Sequence, residues 1–219
     1  MYAIGMDVTI RDATEQDAPF LAWVMQEAAR SHLPLGLWDF TLPGPDRPRL
    51  EAVARMAIAQ PESFVHFGGF LVAEADGKAI AGLSGYDSAH KPLDGFTTVM
   101  DGTLEQLGWS AEHRALAGIR LAPIGTCMPD SPPGVWVIEW VAAKPEARGR
   151  GVAHKLLVEI LERGRRGGYT KSQIGYLLGN TPAKTAYERV GFETTGDMRT
   201  PEFEAVYGCP GIAHMECDL

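Results

Sequence analysis

The chain has 219 residues, 45% of them hydrophobic, and a formal net charge of −8 from 20 Lys and Arg against 28 Asp and Glu. That length favours one domain with an elaboration and a sizeable core. The acidic balance argues against a nucleic-acid surface, and no apolar run is long enough to span a bilayer. It is compatible with a cationic small substrate, although solubility accounts for most acidic surfaces. No basic region followed by an apolar core opens the sequence, so no secretory signal is read. Cys127, Cys209 and Cys217 are odd in number and lack metal-ligand spacing, and the histidines lack it too. The expectations are a reducing cytoplasm, no disulfide framework, no metal and no membrane partner.

In chain order, residues 8–11 read as a first strand. Thr14 to Asp17 resembles a capping box, and Pro19 suits a first helical turn. Phe20, Leu21, Val24, Met25 and Ala28 recur at helical spacing to about Ser31. Residues 33–48, rich in Pro, Gly and aromatics, read as loop. A second helix is expected over 49–59, with Leu50, Val53, Ala54 and Ala57 on one face. Strands at 70–75 and 78–86 flank Asp76-Gly77, a hairpin signal. Residues 90–134 are broken by Gly and Pro and read as an insertion between two strands, with one or two short helices within 104–120. This segment is expected to cover an acceptor cleft or form a subunit contact.

The chain is organised around residues 135–153. Val135 to Ala143 is rich in β-branched and aromatic residues and reads as a buried strand. Pro145 ends it, Arg148 to Gly151 alternates cation and glycine, and a helix begins at Val152. A helix start offers unpaired amides and the positive end of its dipole to an anion. Gly149 and Gly151 let a phosphate approach the backbone. A dinucleotide fingerprint fails because His154 stands where its third glycine would be, and no Walker loop follows. The helix is strongly amphipathic, with Val152, Leu156, Leu157, Ile160 and Leu161 on one face, and ends at Gly164 and Gly167-Gly168. Strands at 172–178, 193–199 and 212–218 and a short helix at 182–190 complete the reading.

Arg148-x-x-Gly151-x-Ala153 resembles the pyrophosphate loop of the GCN5-related N-acetyltransferase (GNAT) superfamily. One helix and one strand later, Asn180-x-x-Ala183-x-x-x-Tyr187-x-x-x-Gly191-Phe192 resembles that family's second block at every position. The resemblance is tight over the C-terminal third and looser over the N-terminal β-α-α-β-β order. It implies an α/β (α+β) fold. A mixed central sheet of about six to seven strands is splayed at its centre and flanked by about four helices, with the insertion before the central strand.

The resemblance further implies an acetyl-CoA-dependent N-acetyltransferase acting on a primary amine by direct attack in a ternary complex. A non-catalytic acyl-CoA-binding sensor of the same fold is the alternative. Val141, Ala142 and Ala143 are implied to pair with the pantetheine arm, with the Val141 amide as oxyanion donor. Arg148, Gly149, Arg150, Gly151, Val152, Ala153 and His154 are implied at the pyrophosphate. Asn180, Ala183 and Tyr187 are implied near the cofactor arm, Tyr187 also as general acid toward the thiolate.

Glu139 is the base candidate, because an acid inside an apolar strand is costly unless paired or useful. A satisfied buried carboxylate remains the other reading of it. Strand alternation places Val137, Glu139 and Val141 on one face and Trp136, Ile138 and Trp140 on the other. Trp38, Phe40 and Phe67 are read equally as an acceptor-site cap or as core. The acceptor is a small-molecule or peptide amine, and a homodimer is admitted.

Overall fold

The computed structural model describes residues 7–87, 89, 93–129 and 131–219. Residues 90–92, where the insertion was expected to begin, lie outside the described residues. Seven strands form one sheet: β1 (Thr9–Asp12), β2 (Phe70–Ala75), β3 (Lys78–Asp87), β4 (Trp136–Ala143), β5 (Lys171–Leu177), β6 (Glu193–Arg199) and β7 (Gly211–Asp218). Their order is β1-β2-β3-β4-β5-β7-β6. Every neighbouring pair is antiparallel except β4 with β5. The helices are α1 (Ala18–Arg30), α2 (Leu37–Thr41), α3 (Asp46–Met56), α4 (Leu93–Gln106), α5 (Ala111–Gly125), α6 (Val152–Arg166), α7 (Thr181–Glu188) and α8 (Pro201–Tyr207).

Local chemistry accounts for the regular parts. Asp76 and Gly77 both take positive φ, 50° and 69°, as a tight hairpin turn between right-twisted strands requires. The Thr14 amide donates to Asp17 Oδ2 at 2.8 Å, closing the capping box ahead of α1. Helix α6 buries the five apolar residues its periodicity selects.

Tertiary contacts overrule the sequence in several places. Residues 33–48 are not all loop. Helix α2 lies within them, and α3 begins at Asp46, with Pro48 tolerated in a first turn whose amides lack helical acceptors. A buried ion cluster holds α2 in place. Asp39 accepts from Arg30 at 2.7 Å and from Arg49 at 2.6 Å, and its side chain is 3% exposed.

The insertion forms two full helices, α4 and α5, rather than short pieces. Phe96, Val99, Met100, Leu104 and Ala117 join the core that contains Leu21, Val24 and Met25 of α1. Helix α8, unseen in the sequence, is capped by Thr200 and started by Pro201. About four flanking helices were expected, and eight are found among the described residues.

The core has two layers. Leu71, Ala73, Trp136, Ile138 and Ile174 pack with Leu156, Leu157 and Ile160 of α6 on one face. Phe70, Val72, Trp140 and Ala142 pack on the other with α1, Trp38 of α2, α3 and α4. A smaller cluster joins Leu37, Cys127, Phe203, Tyr207 and Ile212 beside Trp140.

Candidate active site

Strands β4 and β5 pair only at Trp136, Val137 and Ile138, opposite Ser172, Gln173 and Ile174. Beyond that point β5 continues with β7 as far as Leu177. Strand β4 continues only with β3, where Ala142 and Ala143 oppose Gly82 and Ala81. The sheet therefore opens at its centre. Glu139 is the first residue past the last β4–β5 pair. From there Val141, Ala142 and Ala143 carry no ladder partner on the β5 side.

A β-bulge sits at this apex. Between the pairs Ser84–Glu139 and Gly82–Ala142, Leu83 alone opposes Trp140 and Val141. Trp140 takes φ 58°, a left-handed conformation that costs a bulky residue about 1–2 kcal/mol. Its ring is held against Trp38 at 5.8 Å and Phe64 at 6.3 Å between centroids.

The extra residue corrects the expected alternation. Trp140 packs on the α1 face, not with Trp136 and Ile138, and Val141 packs in the α6 layer, away from Glu139. A uniform period of two fails wherever one strand gains a residue on its partner.

Glu139 Oε2 is buried without a hydrogen-bond partner. Burial raises this carboxyl from its ordinary 4.5 to about 7, against the opposing effect of a hydrogen bond from Tyr86. The carboxyl is thus poised to exchange a proton near neutral pH. Gln173 Nε2, on the adjacent strand, is likewise buried without a partner.

The strand end leads into an open loop. The Arg148 Nε donates to the Ala143 carbonyl at 3.0 Å, fixing that side chain at the end of β4. Gly149 and Gly151 have φ of 71° and 75°, and a Cβ on either would meet nothing within 4 Å. The glycines are needed for the backbone turn, and the space above them is free. The first helical bond of α6 is Lys155 N–H to the Gly151 carbonyl at 3.1 Å, so the amides before it lack helical acceptors. Arg148, Arg150 and His154 are exposed around them, Ala153 is half-buried, and Val152 is buried in the α6 layer. A diphosphate fits such a cradle.

The second motif supports the same wall of the site. Asn180 caps α7, accepting from the Ala183 amide at 3.1 Å, and its Nδ2 donates to Ser31 Oγ at 2.6 Å. Asn180 thus ties α7 to the end of α1. Ala183 packs against the α6 layer. Tyr187 is buried there, edge-on to Tyr176 and Phe192 at 6.4 Å. Burial pushes its phenol well above the ordinary range, so it stays protonated.

Tyr86 and Phe64 were missed from sequence. Tyr86 reaches Glu139 through a register between strands some fifty residues apart, and Phe64 packs on Tyr86 and Trp140 from a turn before β2. Of the aromatics weighed as a cap, Trp38 is fully buried core, Phe40 packs edge-on to Tyr207 at 5.2 Å, and Phe67 lies on His66 at 4.4 Å. Among the described residues no three His, Cys, Asp or Glu side chains could jointly hold a metal ion, and no helix is long and apolar enough to cross a membrane.

The fold has counterparts among solved proteins. The model of the acetyltransferase (GNAT) family matches residues 100–192. No curated protein sequence matches. A solved acetyltransferase superposes with a TM-score of 0.70 at 18% identity, covering 96% of this chain and 98% of its own. An N-acetyltransferase from Staphylococcus aureus Mu50 gives 0.67 at 19% identity, covering 96% and 100%. PaiA N-acetyltransferase from Thermoplasma acidophilum, in complex with coenzyme A, gives 0.53 at 13% identity, covering 98% and 100%. Residues 100–192 thus match the acetyltransferase (GNAT) family, and the whole chain has the fold of solved N-acetyltransferases.

Proposed function

We propose that the protein transfers an acetyl group from acetyl-CoA to a primary amine by direct attack in a ternary complex. The observation that carries this reading is the opening of the sheet at Ile138 and Ile174, with Glu139 at its apex. The unpaired β4 edge leads from there into the glycine cradle. Acetyl-CoA supplies the activated thioester, and a relative of the same fold holds coenzyme A.

The residues divide the work as follows. The amides from Gly149 to His154 and the cations Arg148 and Arg150 hold the diphosphate. The backbone of Val141, Ala142 and Ala143 pairs with the extended arm as another strand would. Asn180 and Ala183 hold α7 beside it. Glu139 Oε2 takes the proton from the incoming ammonium so that the neutral amine attacks, directly or through a water. The Val141 amide stabilises the oxyanion, and the neutral Tyr187 hydroxyl gives a proton to the departing thiolate. Helices α2, α4 and α5 wall the acceptor side, and the acceptor is a small-molecule or peptide amine.

Calorimetry tests the cofactor assignment. Acetyl-CoA and desulfo-CoA bind comparably, because the cradle reads the diphosphate. Gly151→Ala weakens both by a Cβ in the cradle and costs about 1 kcal/mol of backbone strain. Absence of binding at millimolar acetyl-CoA removes the reading. Turnover with a panel of primary amines separates transfer from mere cofactor sensing.

A further inference from the structure

We infer that Tyr86 is a positioning residue for Glu139, its hydroxyl reaching the carboxylate from β3 across the ladder. The inference rests on Glu139 being the base. In the β3–β4 ladder Tyr86 opposes Val137 and Ser84 opposes Glu139. Tyr86 and Glu139 are therefore a diagonal pair on one face, a separation that a tyrosine spans.

The Tyr86 ring has little freedom. It is 9% exposed and stacks on Phe64 at 5.9 Å. Phe64 in turn lies parallel to Trp140, at 6.3 Å and 8°. A ring held in this way aims its hydroxyl. That hydroxyl acts electrostatically on the Glu139 carboxylate, whose Oε2 is enclosed without a hydrogen-bond partner.

Two opposing effects meet on this carboxyl. Burial favours the neutral acid, and the Tyr86 bond favours the ion. Other charged groups of the elements packed on this face are engaged elsewhere. Lys171 of β5 pairs with Glu216 of β7 at 3.7 Å, and His214 Nε2 lies 3.2 Å from the Cys127 carbonyl. Glu27 of α1 lies 3.6 Å from Arg30, and Asp39 of α2 binds Arg30 and Arg49. Asp101 of α4 takes Arg114 of α5 at 2.8 Å. Among the described residues Tyr86 is the titratable group that acts on Glu139.

Tyr86→Phe keeps the ring and its stacking and removes only the donor. In the full chain labelled with carboxyl-¹³C glutamate, the Glu139 resonance, assigned by its loss in Glu139→Gln, is followed against pH. The expected midpoint is about 7 in the parent chain. It rises by about one pH unit in Tyr86→Phe. The acid limb of kcat/KM, measured with whichever panel amine is acetylated, moves with it, while KM for acetyl-CoA stays. An unchanged midpoint in Tyr86→Phe overturns the positioning role and leaves the base reading standing. Full acetyl transfer by Glu139→Gln overturns the base reading, and the positioning role with it.

Discussion

The two faces of the sheet differ in how completely their polar groups are satisfied. On the α6 face the Trp136 and Ser172 side chains have partners. Trp136 Nε1 donates to the Ile160 carbonyl at 3.0 Å, and Ser172 Oγ donates to the Trp136 carbonyl at 2.8 Å. The opposite side is another matter. Trp38 Nε1, Thr41 Oγ1, Glu139 Oε2, Trp140 Nε1, Gln173 Nε2 and Tyr207 Oη are enclosed without partners among the described residues. Trp38 and Trp140 belong to the α1 layer and Tyr207 to the cluster beside it. Glu139 and Gln173 occupy the strand positions that alternate away from Ile138 and Ile174. Buried polar groups without partners are rare in folded proteins, so each of these is a place where a bound water or ligand could supply one. The α6 layer is the better satisfied of the two, and Glu139 lies in the other.

Glu139→Gln breaks the comparison most severely. Turnover falls by about a hundred- to ten-thousand-fold, read from initial rates at pH 7. Stability changes in the opposite direction. The folded carboxyl titrates at about 7 against an ordinary 4.5, so between those values the folded chain holds a proton that the unfolded chain releases. Stability from this group therefore falls as pH rises through that window. The penalty is absent below the lower value and complete above the upper, on the order of 3 kcal/mol. Urea unfolding of Glu139→Gln above pH 7 shows the chain more stable than its parent, and the difference vanishes at pH 4.

Leu157→Ala is the mirror experiment on the α6 face. Leu157 is fully buried in the α6 layer. Its truncation costs about 2–5 kcal/mol in denaturant unfolding, with KM for acetyl-CoA little changed. A large loss of cofactor affinity at retained fold would mean that core packing under α6 sets the shape of the cradle at its N-terminus.

Tyr187→Phe is expected to be smaller. Turnover drops by about a hundredfold while acetyl-CoA affinity holds, because the hydroxyl acts on charge that exists only in the transition state. The ring keeps its contacts with Tyr176 and Phe192, so the melting temperature barely moves. Full turnover with chemistry shown to be rate-limiting would make Tyr187 a packing residue.

The finest test pairs two tryptophans. Trp136→Phe loses a hydrogen bond to the Ile160 carbonyl, which keeps its helical partner. Trp38→Phe removes a donor that had no partner. The two share the loss of ring volume. Trp136→Phe is therefore the costlier by about 1 kcal/mol in paired unfolding curves. Equal costs would show that the Trp38 nitrogen is satisfied in solution.

The sequence by itself determined what is local. Hairpin chemistry at Asp76-Gly77, the 3.6-residue stripe of α6, the glycines of the 148–151 loop and the Asn180 cap are each written within a few residues, and each forms as written. Glu139 drew notice as an acid in an apolar run, and the structure places it at the point where the sheet opens.

What needed the tertiary structure is what depends on distant partners. The bulge at Trp140 exists only against Leu83, and no glycine announces its positive φ. Helix α2 is short, and an Asp39 cluster with arginines from α1 and α3 holds it. Helices α4 and α5 hide behind Gly and Pro because their stability comes from a core shared with α1. The environment of Glu139 combines a strand splay, a tyrosine two positions away across the ladder and burial by elements far apart in sequence. Low dielectric and fixed donors arise only when those parts of the chain meet.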